Sequence, residues 1–318
     1  MGAPTVGHLD PWFGALMEDA AAALRRVMDT DNAATLPISG TGSAGMDAMV
    51  VNLVEPGDRV VCGVHGLFGE RMADALGRQG ADVVRVEAEW GRAIPVGRLI
   101  AALDAGGRHA DALFVVHGET STGVCQPLDG LADACRERDA LLLVDCVTSL
   151  AGQELHVDAA GIDAAFSGTQ KCLNAPPGLA PFTLGERAAA KIRARTTPAR
   201  SWYFDLSLVL QYWDVPEGAP RVYHHTAPIN NVYALREALA IVEEEGLPAR
   251  WARHARAHEA LRGYPEGLAA AHEALRGRAG RRAARTDTRS DSAAAVDVTA
   301  ASPGMRAGQA ATARRGRF

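Results

Sequence analysis

Apolar runs and helical patterns alternate between residues 33 and 185, and this alternation limits the possible folds more than any other feature of the sequence. Four apolar runs are typical of buried strands and lie at residues 58–64, 81–86, 111–117 and 140–145. Helical patterns separate them at residues 69–77, 96–105 and 128–136. Apolar strands that alternate with helices predict an open, mostly parallel α/β sheet with helices on both faces. We therefore expect ligands to bind beyond the carboxyl ends of these strands.

The composition is that of an ordinary globular protein, with 47% hydrophobic residues and a formal net charge of −5. So mild a charge argues against a dedicated nucleic-acid binder. The sequence contains neither an apolar run of about 18 residues nor the basic start and apolar stretch of a secretion signal, so we expect no membrane span and no export. Five cysteines without a CxxC pair predict free thiols in a reducing cytoplasm and no metal site.

The second half of the chain contains a predicted helix and then a segment of biased composition. Apolar spacing predicts one long helix at residues 230–246, and the heptapeptide AHEALRG occurs twice beyond it, at 257–263 and 271–277. Residues 278–318 contain nine arginines and three aspartates but no lysine and no glutamate. Such a segment buries too little apolar surface to fold, so we expect disorder there. We hypothesise that a shifted reading frame produced it.

A glycine-rich loop with the sequence SGTGSAG, at residues 39–45, joins a predicted strand at 34–38 to a predicted helix at 46–53. Glycines allow a sharp turn, and the free N–H groups at a helix start attract phosphate. Three of the glycines also fit the GxGxxG pattern of an NAD-dependent oxidoreductase. That site needs an acidic residue about 20 positions further on, whereas residues 62–65 are CGVH. A ligand with one phosphate fits better, and a tight turn without a ligand is the other alternative.

Two polar residues follow predicted strands. Asp145 ends the apolar run 140–145, where a buried carboxylate needs a partner such as a protonated heterocyclic nitrogen, unless it only caps the next turn. Lys171 follows a short predicted strand at 163–166 and is one of only two lysines in the chain. Lysine can act covalently where arginine cannot, although a GC-rich coding sequence also makes lysine rare. The other lysine, Lys191, is expected on a solvated helix face.

Together these residues predict a site for pyridoxal 5'-phosphate. The glycine loop offers a phosphate site, Asp145 an acid for the pyridine nitrogen, and Lys171 an amine for the aldehyde. Phe68 lies after the strand that follows the glycine loop and is a candidate for stacking on the ring. A phenylalanine at such a position is as often part of the core.

Three longer passages resemble a known family: HGETSTGVCQPLDG at 117–130, SGTQKCLNAPPG at 167–178 and YHHT at 223–226. Over roughly residues 6–253 the chain resembles the class V aminotransferases of the fold type I pyridoxal-phosphate enzymes, and within them the alanine–glyoxylate and serine–glyoxylate (serine–pyruvate) aminotransferases. The resemblance implies three parts, namely a large cofactor-binding domain at 1–246, a remnant of a small C-terminal domain at 247–277 and a tail at 278–318.

The resemblance also implies a role for each matching residue. Lys171 is expected to form the Schiff base and move protons, and Asp145 to keep the pyridine nitrogen protonated. The other expected cofactor contacts are Thr41, Gly42 and Ser43 at the phosphate and ring, Phe68 and Val147 on the ring faces, Thr120 at the ring oxygen and Gln170 on the phosphate side. Relatives often have histidine in place of Ser43.

Two further residues are expected to act at the site of a second subunit. By resemblance, Tyr223 and Thr226 reach the phosphate of the neighbouring site, which implies a homodimer with shared sites. The histidines between them, His224 and His225, are expected to pack near the dimer interface rather than to bind a metal.

The implied reaction transfers an amino group from alanine or serine to glyoxylate or pyruvate. The family's small domain carries an arginine that clamps the substrate carboxylate, and this sequence shows no counterpart. Two alternatives therefore remain, namely a truncated, inactive relative that binds pyridoxal phosphate and the NAD-dependent oxidoreductase. Ureidoglycine–glyoxylate and aminoethylphosphonate–pyruvate aminotransferases share the same framework, so these residues do not fix the amino donor.

Overall fold

The computed structural model describes residues 4–213 and 221–262, and helices and strands alternate between residues 34 and 116 as predicted. The helices are α1 (Pro11–Met28), α2 (Gly42–Leu53), α3 (Leu67–Gln79), α4 (Val96–Leu103), α5 (Leu131–Arg136), α6 (Glu186–Arg193), α7 (Leu206–Trp213), α8 (Ile229–Glu245) and α9 (Leu247–Arg262). The strands are β1 (Ala34–Ser39), β2 (Arg59–Val64), β3 (Asp82–Glu87), β4 (Ala112–Val116), β5 (Gly118–Glu119), β6 (Val124–Cys125), β7 (Leu141–Asp145), β8 (Ala164–Phe166) and β9 (Leu179–Leu184).

Seven of these strands form one sheet in the order β1-β9-β8-β7-β4-β2-β3. Neighbouring strands from β8 to β3 are parallel, whereas β9 is antiparallel to both β1 and β8. Every strand of this sheet except β9 therefore runs in the same direction, which confirms the predicted mostly parallel α/β fold. β5 and β6 form a separate antiparallel pair.

Helices cover the sheet because its central strands are apolar on both faces. All five residues of β4 and all five of β7 are buried. On one side α1 packs against α8, and the side chains of Phe13, Met17 and Leu24 on α1 and of Leu235 and Leu239 on α8 are fully excluded from solvent. Their helical spacing explains why the pattern at 230–246 correctly predicted α8.

Two features differ from the sequence prediction. Helix α2 begins at Gly42 rather than at residue 46, because its first turn lies close to the sheet and carries glycines in place of the apolar side chains that mark a helix in sequence. No strand was predicted at β9, whose sequence LAPFTL contains a proline that disfavours a strand, and its reversed direction was not predicted either.

The C-terminal predictions are only partly covered by the described residues. Helix α9 spans Leu247–Arg262 and includes most of the first AHEALRG copy. The second copy and the predicted disordered tail at 278–318 lie outside the described residues, so the predicted domain divisions stay predictions. None of the helices in the two described ranges combines the length and apolarity that crossing a membrane requires.

Candidate active site

A pocket of about 200 Å³ opens at the carboxyl ends of the parallel strands, where the sequence predicted a ligand. Eight of the eleven predicted site residues line it: Thr41, Gly42, Ser43, Phe68, Asp145, Val147, Gln170 and Lys171. The remaining lining residues are Met46, Arg71, Gly118, Thr148 and Phe166. The topology thus brings together side chains that lie more than a hundred residues apart in sequence.

The glycine loop places the start of α2 at the pocket. Gly40 has a φ of +143°, and a Cβ there would lie 2.3 Å from the Cβ of Ala44, so the turn requires glycine. A Cβ on Gly42 would lie 3.1 Å from Cγ2 of Val147, which shows how closely the first turn approaches the strand end. Thr41 precedes the helix and its side chain forms no capping hydrogen bond. The N–H groups of this first turn are therefore suited to bind a phosphate.

Asp145 ends β7 at the floor of the pocket and is only 7% exposed. Its Oδ1 accepts a hydrogen bond of 2.8 Å from the backbone N–H of Val147. Burial raises the pKa of Asp145 to about 7, with a further upward contribution from Glu119, while the Val147 N–H and the charge of Arg71 act in the opposite direction. A carboxylate held in this way lacks a strong positive partner, and a protonated heterocyclic nitrogen would supply one.

Lys171 lies in the turn that connects β8 to β9. Its backbone N–H contacts the carbonyl of Gly168 at 3.4 Å, and its own carbonyl accepts from Asn174 at 2.9 Å. Lys191 pairs with Asp58 at 2.7 Å, away from the pocket. Within residues 4–213 and 221–262, no carboxylate forms an ion pair with Lys171, so its amine is available to a ligand.

Phe68, the second residue of α3, is held at the pocket by Glu119. The Glu119 carboxylate is fully buried and accepts hydrogen bonds from the backbone N–H groups of Phe68 (2.9 Å) and Gly69 (3.2 Å). It also accepts from the N–H (3.1 Å) and hydroxyl (2.6 Å) of Ser121. Glu119 therefore caps α3 and fixes the position of Phe68.

Sequence reasoning missed two contributors to this site, Glu119 and Arg71. Glu119 stands within the passage 117–130 just beyond β4, a placement shared with the other strand-end residues and the one signal that could have identified it. The guanidinium carbon of Arg71 lies 5.1 Å from the centre of the Phe68 ring, a cation–π distance. Among the residues that the structure describes, Arg71 is the one arginine that lines the pocket, and no sequence pattern singled it out.

Three predicted residues lie outside the pocket. Thr120 lines an adjoining cleft that shares Gly118 and Thr148 with the pocket. Tyr223 is 56% exposed, and Thr226 is also exposed. A single chain therefore does not bring these last two side chains to its own pocket, and their predicted contact with a neighbouring subunit stays a prediction.

Comparison with solved structures identifies the class of the fold. An alanine–glyoxylate aminotransferase from Nostoc sp. superposes with a TM-score of 0.80 at 47% sequence identity, over 84% of this chain and 69% of that one. A ureidoglycine–glyoxylate aminotransferase from Bacillus subtilis gives a TM-score of 0.76 at 41% identity, over 80% of this chain and 64% of that one. The fold is that of the pyridoxal-phosphate-dependent aminotransferases.

Sequence comparison gives the family. The family described as "Aminotransferase class-V" matches residues 3–285. The alanine–glyoxylate aminotransferase of Felis catus is 38% identical over 268 residues, which are 84% of this chain and 64% of that enzyme. The chain belongs to the class V aminotransferase family, as the resemblance predicted, and the NAD-dependent alternative finds no support. The alignment spans just under two thirds of the cat enzyme's length.

Membership of this family implies pyridoxal 5'-phosphate as the cofactor, and the pocket residues fit it. The first turn of α2 suits a phosphate, and Asp145 is a buried carboxylate that accepts one backbone hydrogen bond. Lys171 presents an unpaired amine at the same pocket, within the part of the chain that the structure describes.

Proposed function

We propose that this chain is a subunit of a transaminase that transfers an amino group from alanine or serine to glyoxylate or pyruvate. The observation that carries the proposal is the meeting of Asp145 and Lys171 in one pocket at the start of α2. Similarity to alanine–glyoxylate and ureidoglycine–glyoxylate aminotransferases supports the choice of glyoxylate as an amino acceptor.

Each proposed role follows from the position of the residue. The N–H groups at the start of α2, together with Gln170, would bind the phosphate, and Asp145 would hold a proton on the pyridine nitrogen. Phe68 and Val147, which line the pocket, would contact the ring, and Thr120 would contact the ring oxygen from the adjoining cleft. The bound cofactor supplies an electron sink for the carbanion that forms when the α C–H bond of the amino acid breaks.

Lys171 both anchors the cofactor and moves the proton. Its Nζ would hold the cofactor by its aldehyde and, once free, would remove the proton from the substrate Cα. The same amine would also return that proton, so one residue would serve both proton transfers. Lys191 cannot substitute for it because it is held by Asp58 away from the pocket.

The assembly and location are part of the same proposal. Tyr223 and Thr226 are exposed, which suits contact with a second copy, so the working unit is a homodimer with shared sites. The five cysteines are all free, which suits a reducing cytoplasm.

The test uses the two lysines as an internal comparison. The purified protein is incubated with pyridoxal phosphate, reduced with borohydride and digested, and the added mass is located by mass spectrometry. We expect the label on the peptide that contains Lys171 and none on the peptide that contains Lys191. A label on both or on neither peptide would contradict the proposed site.

A second measurement tests turnover. Alanine or serine is added to the cofactor-loaded protein, and the 2-oxo acid released is measured by chromatography. We expect one equivalent of oxo acid per site and further turnover when glyoxylate is supplied. Covalent labelling of Lys171 without any oxo acid would instead favour the inactive, cofactor-binding relative. Arg71 is the one arginine among the described residues that lines the pocket.

A further inference from the structure

The paired histidines His224 and His225 form a continuous chain of hydrogen bonds with Ser39 and Trp202. Nε2 of His225 lies 2.6 Å from the hydroxyl oxygen of Ser39. Nδ1 of His225 lies 2.7 Å from Nδ1 of His224, and Nε2 of His224 lies 3.3 Å from the carbonyl oxygen of Trp202. All four ring nitrogens of the pair thus have partners, which is more than packing requires.

The carbonyl at one end fixes the direction of every bond in the neutral chain. A carbonyl oxygen only accepts, so Nε2 of His224 carries the hydrogen and Nδ1 of His224 is an acceptor. Nδ1 of His225 must then donate to it, which leaves Nε2 of His225 as the acceptor for the hydroxyl of Ser39. The two adjacent histidines therefore hold opposite tautomers.

Aromatic rings enclose this chain of bonds. The Trp202 ring stacks on His224 at 4.4 Å with an angle of 12° between the planes. The rings of Tyr203 and Tyr212 lie 5.1 and 5.7 Å from that of His225. Burial lowers the pKa of His225 to about 4, with smaller contributions from His224 and His8, so the His225 ring is neutral near neutral pH.

The two ends of the chain belong to different parts of the site. Ser39 is the last residue of β1 and directly precedes the loop that brings Thr41 to the pocket. His225 stands between Tyr223 and Thr226, the residues proposed to contact the neighbouring cofactor. The backbone of Ser39 is anchored by the β1–β9 ladder, so the hydrogen bond ties residues 223–226 to the main sheet.

We propose that Ser39, His225 and His224 are positioning residues that form a strut, which holds the 223–226 segment in place to contact the cofactor phosphate of the neighbouring subunit. This inference rests on the proposed homodimeric, cofactor-binding function. Loss of the strut frees Tyr223 and Thr226 and so weakens binding at the other site, while the subunit's own lysine and carboxylate stay unaffected.

The first test compares pyridoxal 5'-phosphate with pyridoxal, which lacks the phosphate. In Ser39→Ala we expect affinity for pyridoxal phosphate to fall about tenfold, as for loss of one buried hydrogen bond and the order it maintains, and affinity for pyridoxal to change less than about twofold. Ser39→Thr retains the hydroxyl and should restore most of the difference. Equal losses for both ligands, or none for either, would overturn the strut.

A matched control on the same strand separates positioning from general destabilisation. The hydroxyl of Thr35 on β1 is buried and hydrogen-bonded to that of Thr183 at 2.8 Å. Thr35→Val therefore removes the hydrogen bonds of this hydroxyl to Thr183 and to the carbonyl of Asn32, without changing a contact of residues 223–226. We expect the ratio of the two ligand affinities to stay that of the wild type in Thr35→Val, and a changed ratio would count against the strut.

Mixed dimers show whether the strut acts across the interface. When one subunit carries both Ser39→Ala and Lys171→Arg beside a wild-type partner, the working site receives its neighbouring contacts from the broken strut, so weak binding is expected. When the two changes are on different subunits, the working site receives an intact strut and should bind normally. The reverse pattern would overturn action in the neighbouring site.

Histidine spectra give a readout that does not depend on activity. Long-range ¹H–¹⁵N spectra of the dimer should show His224 protonated at Nε2 and His225 at Nδ1. Identical tautomers for the two rings would overturn the chain of bonds. A wild type that binds no pyridoxal phosphate would overturn the proposed function together with the strut, whereas normal wild-type binding with an unchanged ratio in Ser39→Ala overturns the strut alone.

Discussion

The floor of the pocket and the 223–226 segment differ in how much of their environment one chain provides. Asp145 at the floor is 7% exposed and is surrounded by strands of its own chain, whereas Tyr223 is 56% exposed. The floor groups are positioned by the sheet, since each stands where a parallel strand ends. Tyr223 and Thr226, at the two ends of the segment, do not line the pocket of their own chain. We infer that the residues at the floor carry out the reaction, while the 223–226 segment increases the affinity of the neighbouring subunit for the cofactor.

The largest effect is expected when the reactive amine at the floor is removed. Lys171→Arg keeps the charge but cannot lose a proton, so we expect oxo acid release to fall at least about a thousandfold. Lys191→Arg is the matched control, because arginine can retain the ion pair with Asp58. Single-turnover oxo acid formation measures both. Residual activity above about a tenth in Lys171→Arg would remove Lys171 from the chemistry.

The next prediction concerns the buried carboxylate on the floor. Its pKa is raised to about 7, so the folded, cofactor-free protein holds this proton more tightly than the unfolded chain. The stability from this group is complete below about pH 4 and is lost as pH rises through about 7, a total of about 4 kcal/mol in the free energy of unfolding. Asp145→Asn should abolish this pH-dependent loss of stability, and it should also remove the carboxylate that keeps the pyridine nitrogen protonated.

Urea unfolding of the cofactor-free protein at about pH 5 and about pH 8 checks this prediction. We expect the free energy of unfolding to fall more in the wild type than in Asp145→Asn when the pH is raised from the lower to the higher value. Equal pH dependence in the two proteins would show that Asp145 is not the titrating group.

A smaller effect is expected from the cap that positions Phe68. Glu119→Gln replaces one acceptor oxygen by an amide donor that faces backbone N–H groups or Ser121, at a cost of about 2 kcal/mol in the free energy of unfolding. Glu70→Gln is the control, because Glu70 lies on the same helix in a partly exposed ion pair with Arg85, which contributes at most about 1 kcal/mol. Similar losses in both variants would refute the capping role.

The smallest effect is expected at the exposed segment. Tyr223→Phe removes one hydroxyl and should lower affinity for pyridoxal phosphate about fivefold in the dimer, or about 1 kcal/mol. The same change should have no effect after dilution to monomers, because the side chain serves only the neighbouring site. Cofactor titration at two protein concentrations, with the mass checked by sedimentation, decides the point. A loss that persists in the monomer would place Tyr223 at its own site.

The sequence predicted six of the seven strands of the main sheet and the polar residues that follow them, but not β5, β6 or β9. Apolar period and strand-end position located Asp145 and Lys171, since both signals are local. The polar contacts that hold the site were not predictable in this way. Glu119 meets Phe68 across 51 positions, and Ser39 meets His225 across 186. Such pairs arise from tertiary packing, which local pattern does not encode.

Family resemblance added what residue chemistry alone did not. Nothing in the polarity or spacing of Tyr223 and Thr226 distinguishes them from surface residues, and the structure of one chain leaves them exposed. Their proposed role depends on a second copy, so neither local pattern nor a single subunit reveals it.

The reversed direction of β9 makes β8 and β9 a hairpin, and Lys171 lies in the connection between them. The N–H of Ser167 donates to the carbonyl of Pro181 at 2.7 Å and that of Thr169 to the carbonyl of Leu179 at 3.2 Å, so the connection is fastened between two interior strands of the sheet. A parallel return would have required a crossover through a helix. The reactive amine is therefore placed by a short return of the chain, and β7 and β1 hold the two strands of that hairpin from either side.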